Sequence, residues 1–111
     1  MNDLSEFNLS HTSISINTAT QNAIITAPGA GKRICIDFLM LHPSGGANTV
    51  TVQTASTTLV ALTLDDQQGM VIENTIHYRK GILTCGVNEA FNITLSAATT
   101  VEGFVRYHIL D

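Results

Sequence analysis

Residues 27–42, "APGAGKRICIDFLMLH", decide between two kinds of protein. Read as a nucleotide-binding loop, Gly31-Lys32 would close a G-x-x-x-x-G-K-[ST] pattern, whose glycines let backbone N–H groups approach phosphates and whose hydroxyl holds magnesium. The register fails at both ends, because Thr26 stands where the opening glycine belongs and Arg33 where the hydroxyl belongs. The order of elements fails as well. Such a loop leads from strand into helix, whereas this one leads into the β-branched, apolar run "ICIDFLML". It reads as a Pro-Gly turn opening a strand, with Lys32 and Arg33 at the surface or paired with acids. Along that strand Ile34, Ile36, Phe38 and Met40 fall on one face, and Cys35, Asp37, Leu39 and Leu41 on the other. Both faces are largely apolar, which predicts a central strand covered on both sides.

Working outward, period-two alternation recurs and no segment shows a helical period. "HTSISIN" (11–17) and "NAIIT" (22–26) read as two short strands before the central one. The breaker cluster "HPSGGAN" (42–48) ends it. "NTVTVQT" (48–54), with Val50 and Val52 inward, and "TTLVALTL" (57–64) flank a turn at Ala55-Ser56 and predict a hairpin. Further strands are expected at "MVIE" (70–73), "RKGILTCG" (79–86), "EAFNITLSA" (89–97), with Phe91, Ile93 and Leu95 on one face, and "VEGFVRYHIL" (101–110). Gly103, inside the last of these, marks a bulge or a close backbone approach. Eight or nine strands with a turn every ten or so residues predict an all-β, single-domain β-sandwich of jelly-roll type over residues 11–111. Residues 1–10 lack clean alternation. There Leu4, Phe7 and Leu9 lie among polar residues, and the segment reads either as an arm that orders on a neighbour or as an end that frays or packs on its own domain.

Composition limits what such a domain does. Charged residues make up 13% of the 111-residue chain, about half the usual share, while fifteen threonines with many serines and asparagines provide the polar cover. So little charge protects a surface weakly against association, and parts of it are expected to meet partner chains. A net charge of −4, with only five cations, excludes the basic footprint of nucleic-acid binding. No basic leader and no apolar span of membrane length occurs, so a soluble protein without a signal peptide or a membrane partner is expected. Cys35 and Cys85 lie in separate strand-like segments outside any C-x-x-C pattern; buried free thiols are the expected state, with a cross-strand disulfide the alternative.

Reactive constellations are sparse. His11, His42, His77 and His108 are scattered, with no G-x-S-x-G, H-x-E or H-E-x-x-H spacing, and read as turn or surface residues. No His-x-His pair invites a metal, and Asp65-Asp66 offer too few oxygens for calcium. Asp37 is the one acid inside a long apolar strand: either buried and paired with Arg106 or Lys32, or facing a subunit interface, or simply exposed. A lectin is disfavoured by the absence of Trp and the presence of only Tyr78 and Tyr107 as tyrosines. The tripeptides Asn8-Leu9-Ser10 and Asn92-Ile93-Thr94 fit the glycosylation pattern as chance matches in a chain rich in Asn and Thr. No catalytic, cofactor or metal site is assigned, and the chain is expected not to be an enzyme.

The layout over residues 24–110 resembles small tailed-bacteriophage virion proteins with a jelly-roll or related β-sandwich fold. The resemblance rests on the Gly31-Lys32-Arg33-Ile34 opening of the long strand, "GANTVTV" (46–52), "EAFNITLSAA" (89–98) and a closing strand spaced as Val101, Gly103, Val105 and Tyr107. It implies a capsid decoration or cement protein, commonly trimeric, that binds between major capsid protein subunits in the virion after assembly in the host bacterial cytoplasm. The alternative within the family is a head- or tail-associated host-attachment module that binds glycans. Under either, Leu4, Phe7 and Leu9 would form an arm touching the capsid or a neighbouring subunit. The family supplies no catalytic residues and no cofactor.

Overall fold

The computed structural model describes residues 9–74 and 81–111. Nine strands follow in order: β1 (Ser10–Ile16), β2 (Gln21–Ile25), β3 (Arg33–Ser44), β4 (Asn48–Gln53), β5 (Thr58–Leu64), β6 (Met70–Glu73), β7 (Leu83–Thr84), β8 (Phe91–Leu95) and β9 (Thr100–Leu110). Among the described residues there is no helix. The strands form two antiparallel sheets, β1-β9-β3-β6 with β7 also paired to β3, and β2-β8-β4-β5. Strands 1 to 4 thus pair in turn with 9, 8, 6 or 7, and 5, like a long ribbon rolled on itself; β9 on β3 and β8 on β4 then close each sheet. That is the strand order of a jelly roll, as the spacing of turns predicts.

The core follows from alternation. Val50 and Val52 of β4 face Phe91, Ile93 and Leu95 of β8 and, across the sandwich, Ile34, Ile36, Leu39 and Leu41 of β3 with Val101 and Val105 of β9; all are buried. Hiding side chains of this size stabilises by about 1.5–3 kcal/mol each before chain entropy is charged against it. Thr54 closes the β4–β5 turn, its N–H donating to the Thr57 carbonyl at 2.8 Å and its hydroxyl accepting from the N–H groups of Ser56 and Thr57.

One part of the sequence reading changes. β3 does not keep a single phase, because its register on β9 shifts between Ile36, opposite Tyr107, and Phe38, opposite Arg106. Asp37 is the extra residue of a β-bulge, and one inserted residue exchanges the faces beyond it. Ile34 and Ile36 therefore share the core with Leu39 and Leu41, while Phe38 and Met40 turn to the outside. Gly103 is a close approach rather than a bulge: it sits opposite Leu41, and an added Cβ would overlap the backbone carbonyl of Met40.

The Pro-Gly corner is also built as a turn. Gly29 and Gly31 have φ of 116° and 76°, in the region that favours glycine. The Lys32 N–H donates to the Gly29 carbonyl at 3.2 Å. The Gly29 N–H donates to Asn88 Oδ1 at 2.9 Å, and the Asn88 N–H to the Lys32 carbonyl at 2.6 Å. With its amide already spent on Asn88, Gly29 has no N–H to offer a phosphate.

Candidate functional site

Among the described residues, three places hold the chemistry. The first is buried. At the β3 bulge, Asp37 Oδ2 lies 2.6 Å from His108 Nδ1, and Asn74 Nδ2 donates to Asp37 Oδ1 at 3.1 Å. The Asn74 N–H also donates to the Asp37 carbonyl at 2.8 Å, tying the end of β6 to the bulge. An ionised carboxylate only accepts, so Nδ1 of the imidazole is the donor against it. The β3–β9 ladder sets Cys35 directly opposite His108. Thiol, imidazole and carboxylate thus share one neighbourhood, yet no hydrogen bond joins Cys35 to the imidazole, and the side chains of His108 and Asp37 are 0% and 1% exposed.

This corrects two expectations. Asp37 is buried, but its partners are His108 and Asn74 rather than Arg106 or Lys32, because the bulge takes its side chain out of the row that Arg106 occupies. His108 is neither a turn nor a surface residue. Its position on β9 alternates with the core residues and so reads as outward, yet the residue is buried there, opposite Cys35 and paired with Asp37. His11 is exposed on β1, His42 half-buried near the end of β3, and His77 lies outside the described residues. Cys35 and Cys85 are free and buried, as expected. Burial, with the Glu89 carboxylate adding negative charge nearby, pushes the Cys85 thiol up to about 12.

The second place is the outer face of the β1-β9-β3-β6 sheet. The phase change at Asp37 puts Phe38 and Met40 there, and the rings of Phe38 and Phe104 stack with centroids 5.0 Å apart. The guanidinium of Arg106 lies over Phe38 at 5.4 Å, and its Nε is buried with no hydrogen-bond partner among the described residues. Met40 stands opposite both Phe104 and Val71, so these three form an apolar row across three strands, with Val71 59% exposed. On one side lies the row His11, Arg106, Phe38 and Glu73, in which Phe38 extends the apolar surface between polar residues; on the other lie Ser15, Glu102 and His42, all polar.

The third is an open groove of about 410 Å³ where β1, β9 and the 26–32 corner meet. Ile25, Pro28 and Ile109 give it an apolar wall; the Ser10, Thr26 and Tyr107 hydroxyls and the Lys32 ammonium give it polar groups. Such a lining suits a polar or anionic ligand held against a small apolar wall.

Of the arm residues singled out in the sequence, Leu9 is described and is 42% exposed, just before β1. Leu4 and Phe7 lie outside the described residues. Among the described residues no group of His, Cys, Asp or Glu could hold a metal ion, and no helix is long and apolar enough to cross a membrane. The apolar row on the outer face escaped the sequence reading because its phase is set by the bulge; the lone acid in an apolar run was the available signal. Compared with known proteins, the sequence matches no family model and no curated relative.

Proposed function

We propose that the chain is a bacteriophage structural protein: a capsid decoration or cement subunit, homotrimeric, that stabilises the head of the virion by binding between major capsid protein subunits. The observation that carries this reading is the row Phe104, Met40 and Val71, an apolar strip on the outside of a sheet in a protein with few surface charges. A strip of this kind gains by being covered, and a shell repeats the contact many times, so modest affinities add. The resemblance of the sequence over residues 24–110 to small phage virion proteins supports taking a capsid as the surface that covers it. On this reading the chain catalyses nothing, uses no cofactor and contacts neither nucleic acid nor membrane; its Asp37–His108 pair is closed to solvent and braces the sheet instead.

Binding of the purified protein to expanded phage heads, with sedimentation to measure its mass, tests the proposal. A trimer that binds saturably is expected, with Val71→Asp weakening binding about tenfold or more, the scale of one charge forced into an apolar contact. Deleting residues 1–10 is expected to weaken it too; unchanged binding would remove Leu4, Phe7 and Leu9 from the contact. A monomer that ignores expanded heads would overturn the reading.

The groove favours a second reading, host attachment through glycans, since Lys32, Ser10 and Thr26 offer hydrogen bonds beside the apolar Pro28 and Ile109. A glycan array separates the two: specific binding lost in Lys32→Ala supports attachment, and a blank array removes it.

A further inference from the structure

The two sheets leave long edge strands at opposite flanks, and these are finished differently. At one flank β1 lies beside β2, and the inward Ile14 of β1 is buried. At the other flank lies β5, and among the described residues its outer edge pairs with no strand. Leu62 stands directly opposite Val50 and so points to the same side, toward the core. Yet Leu62 is 38% exposed where Val50 is 2%. The core is therefore incompletely covered along β5, and among the described residues the outward backbone donors and acceptors of this strand meet no other strand.

Edge strands are ordinarily protected by charge, proline, brevity or an inward-pointing lysine. Residues 58–64, "TLVALTL", carry no charge and no proline. The single irregularity is at the start, where Val52 pairs with Val60 and Gln53 with Thr58, leaving Leu59 as an extra residue. From Val60 to Leu64 the strand is regular.

We infer that β5 pairs antiparallel with β5 of a second copy of this chain, joining two four-stranded sheets into one of eight strands across a two-fold axis. An unpaired edge is complementary to another strand through its backbone, and the side chains select which. Centred on Leu62, the pairing sets Leu62 against its own copy and Val60 against Leu64 on the core side, with Ala61 against Thr63 on the outside. Each exposed Leu62 then covers the other, and no like charges meet. The acids beyond the strand, Asp65 and Asp66, fall at opposite ends of an antiparallel pair, whereas a parallel pair would place them side by side. Charge thus selects the antiparallel, isologous arrangement. This contact is independent of the capsid reading: it is two-fold, uses a different surface from the Val71 row, and would link neighbouring trimers where trimers form.

Sedimentation equilibrium of the whole chain over a wide concentration range is the test. The mass of the smallest species is expected to double as concentration rises, with amide exchange slowing in residues 60–64 over the same range. Leu62→Lys places two ammonium groups face to face and is expected to raise the dissociation constant for doubling about a hundredfold, with the β circular-dichroism spectrum retained. Should Leu62→Lys fail to fold, Ala61→Lys, on the exposed outer side, applies the same charge to the same pairing. A mass that never doubles, or doubling that a folded lysine variant leaves unchanged, overturns the inference.

Discussion

The two central ladders of the sandwich, β3 on β9 and β4 on β8, have the same antiparallel geometry and opposite characters. In β4–β8, apolar pairs (Val50 with Leu95, Val52 with Ile93) alternate with polar ones (Thr51 with Thr94, Gln53 with Asn92) without interruption. In β3–β9 the alternation breaks at Asp37, a carboxylate and an imidazole lie enclosed in the sheet, and a glycine admits the opposite backbone. Uniform alternation specifies which side of a strand faces inward, but tolerates sliding by two residues. The bulge with its Asp37–His108–Asn74 bonds fits at one position only, so the polar ladder supplies register where the apolar one supplies burial. The difference is testable by breaking each ladder in turn.

The largest effects are expected in the polar ladder. Asp37→Ala leaves the enclosed imidazole without its carboxylate and is expected to cost about 3–5 kcal/mol, read from urea unfolding; His108→Ala is expected to cost a similar amount. The double variant should lose little more than either single one, because one interaction is removed twice. Additive losses would show that the pair does not act as a unit. Phe91→Ala, in the apolar ladder, should cost about 3–5 kcal/mol through its cavity and combine additively with Asp37→Ala. Next comes Gly103→Ala, whose Cβ would press on the Met40 carbonyl and force β3 and β9 apart; about 1–3 kcal/mol is expected, the range for overpacking. A neutral Gly103→Ala would mean that the ladder is looser than its geometry.

Asn48 sharpens the comparison from the other side, because it is a buried polar residue at the start of β4, beside the regular ladder. Its Nδ2 donates to the Ala97 carbonyl at 2.8 Å and to Thr99 Oγ1 at 2.7 Å. Its Oδ1 accepts from the N–H groups of Ser96 and Ala97 at 2.9 and 3.3 Å, holding the β8–β9 turn against β4. Asn48→Ala is expected to cost about 1–3 kcal/mol, the penalty for leaving such groups unpaired. The loss should appear as faster amide exchange at Ser96 and Ala97, with the Asp37 region unaffected.

The same contrast explains what could be read from sequence. The 48–64 hairpin was legible apart from the extra residue at Leu59, since alternation and turn residues agreed there, and so was the sandwich, since nearly every strand carried the same signal. The phase of β3 was legible only as far as Ile36. No residue type announces a bulge, and beyond it Phe38 and Met40 exchange faces with Leu39 and Leu41. His108 was hidden for a related reason: its neighbours Arg106 and Leu110 share its outward parity, and its partner is Asp37, the bulged residue distant in sequence. The exposed Leu62 could not be found either, because the pattern of β5 states which way the residue points and not whether another strand lies beside it.

The smallest expected effect lies where the two ladders' surroundings meet, at Cys85, whose N–H donates to the Ile34 carbonyl at 2.9 Å. Its thiol is held up to about 12 in the folded chain against 9.0 for a free cysteine. Because the folded state keeps its proton more tightly, the thiol's contribution to stability is complete below pH 9.0 and is lost progressively as pH rises toward about 12. Stability measured by urea unfolding should therefore decline through that window, and Cys85→Ala should flatten the decline even if it lowers stability at neutral pH. At neutral pH the thiol should resist alkylation in the folded chain and react once urea unfolds it, since the thiolate is the nucleophile. A Cys85 that is alkylated at the rate of a free thiol while the chain remains folded would place it outside the enclosure that Ile34 and Glu89 define.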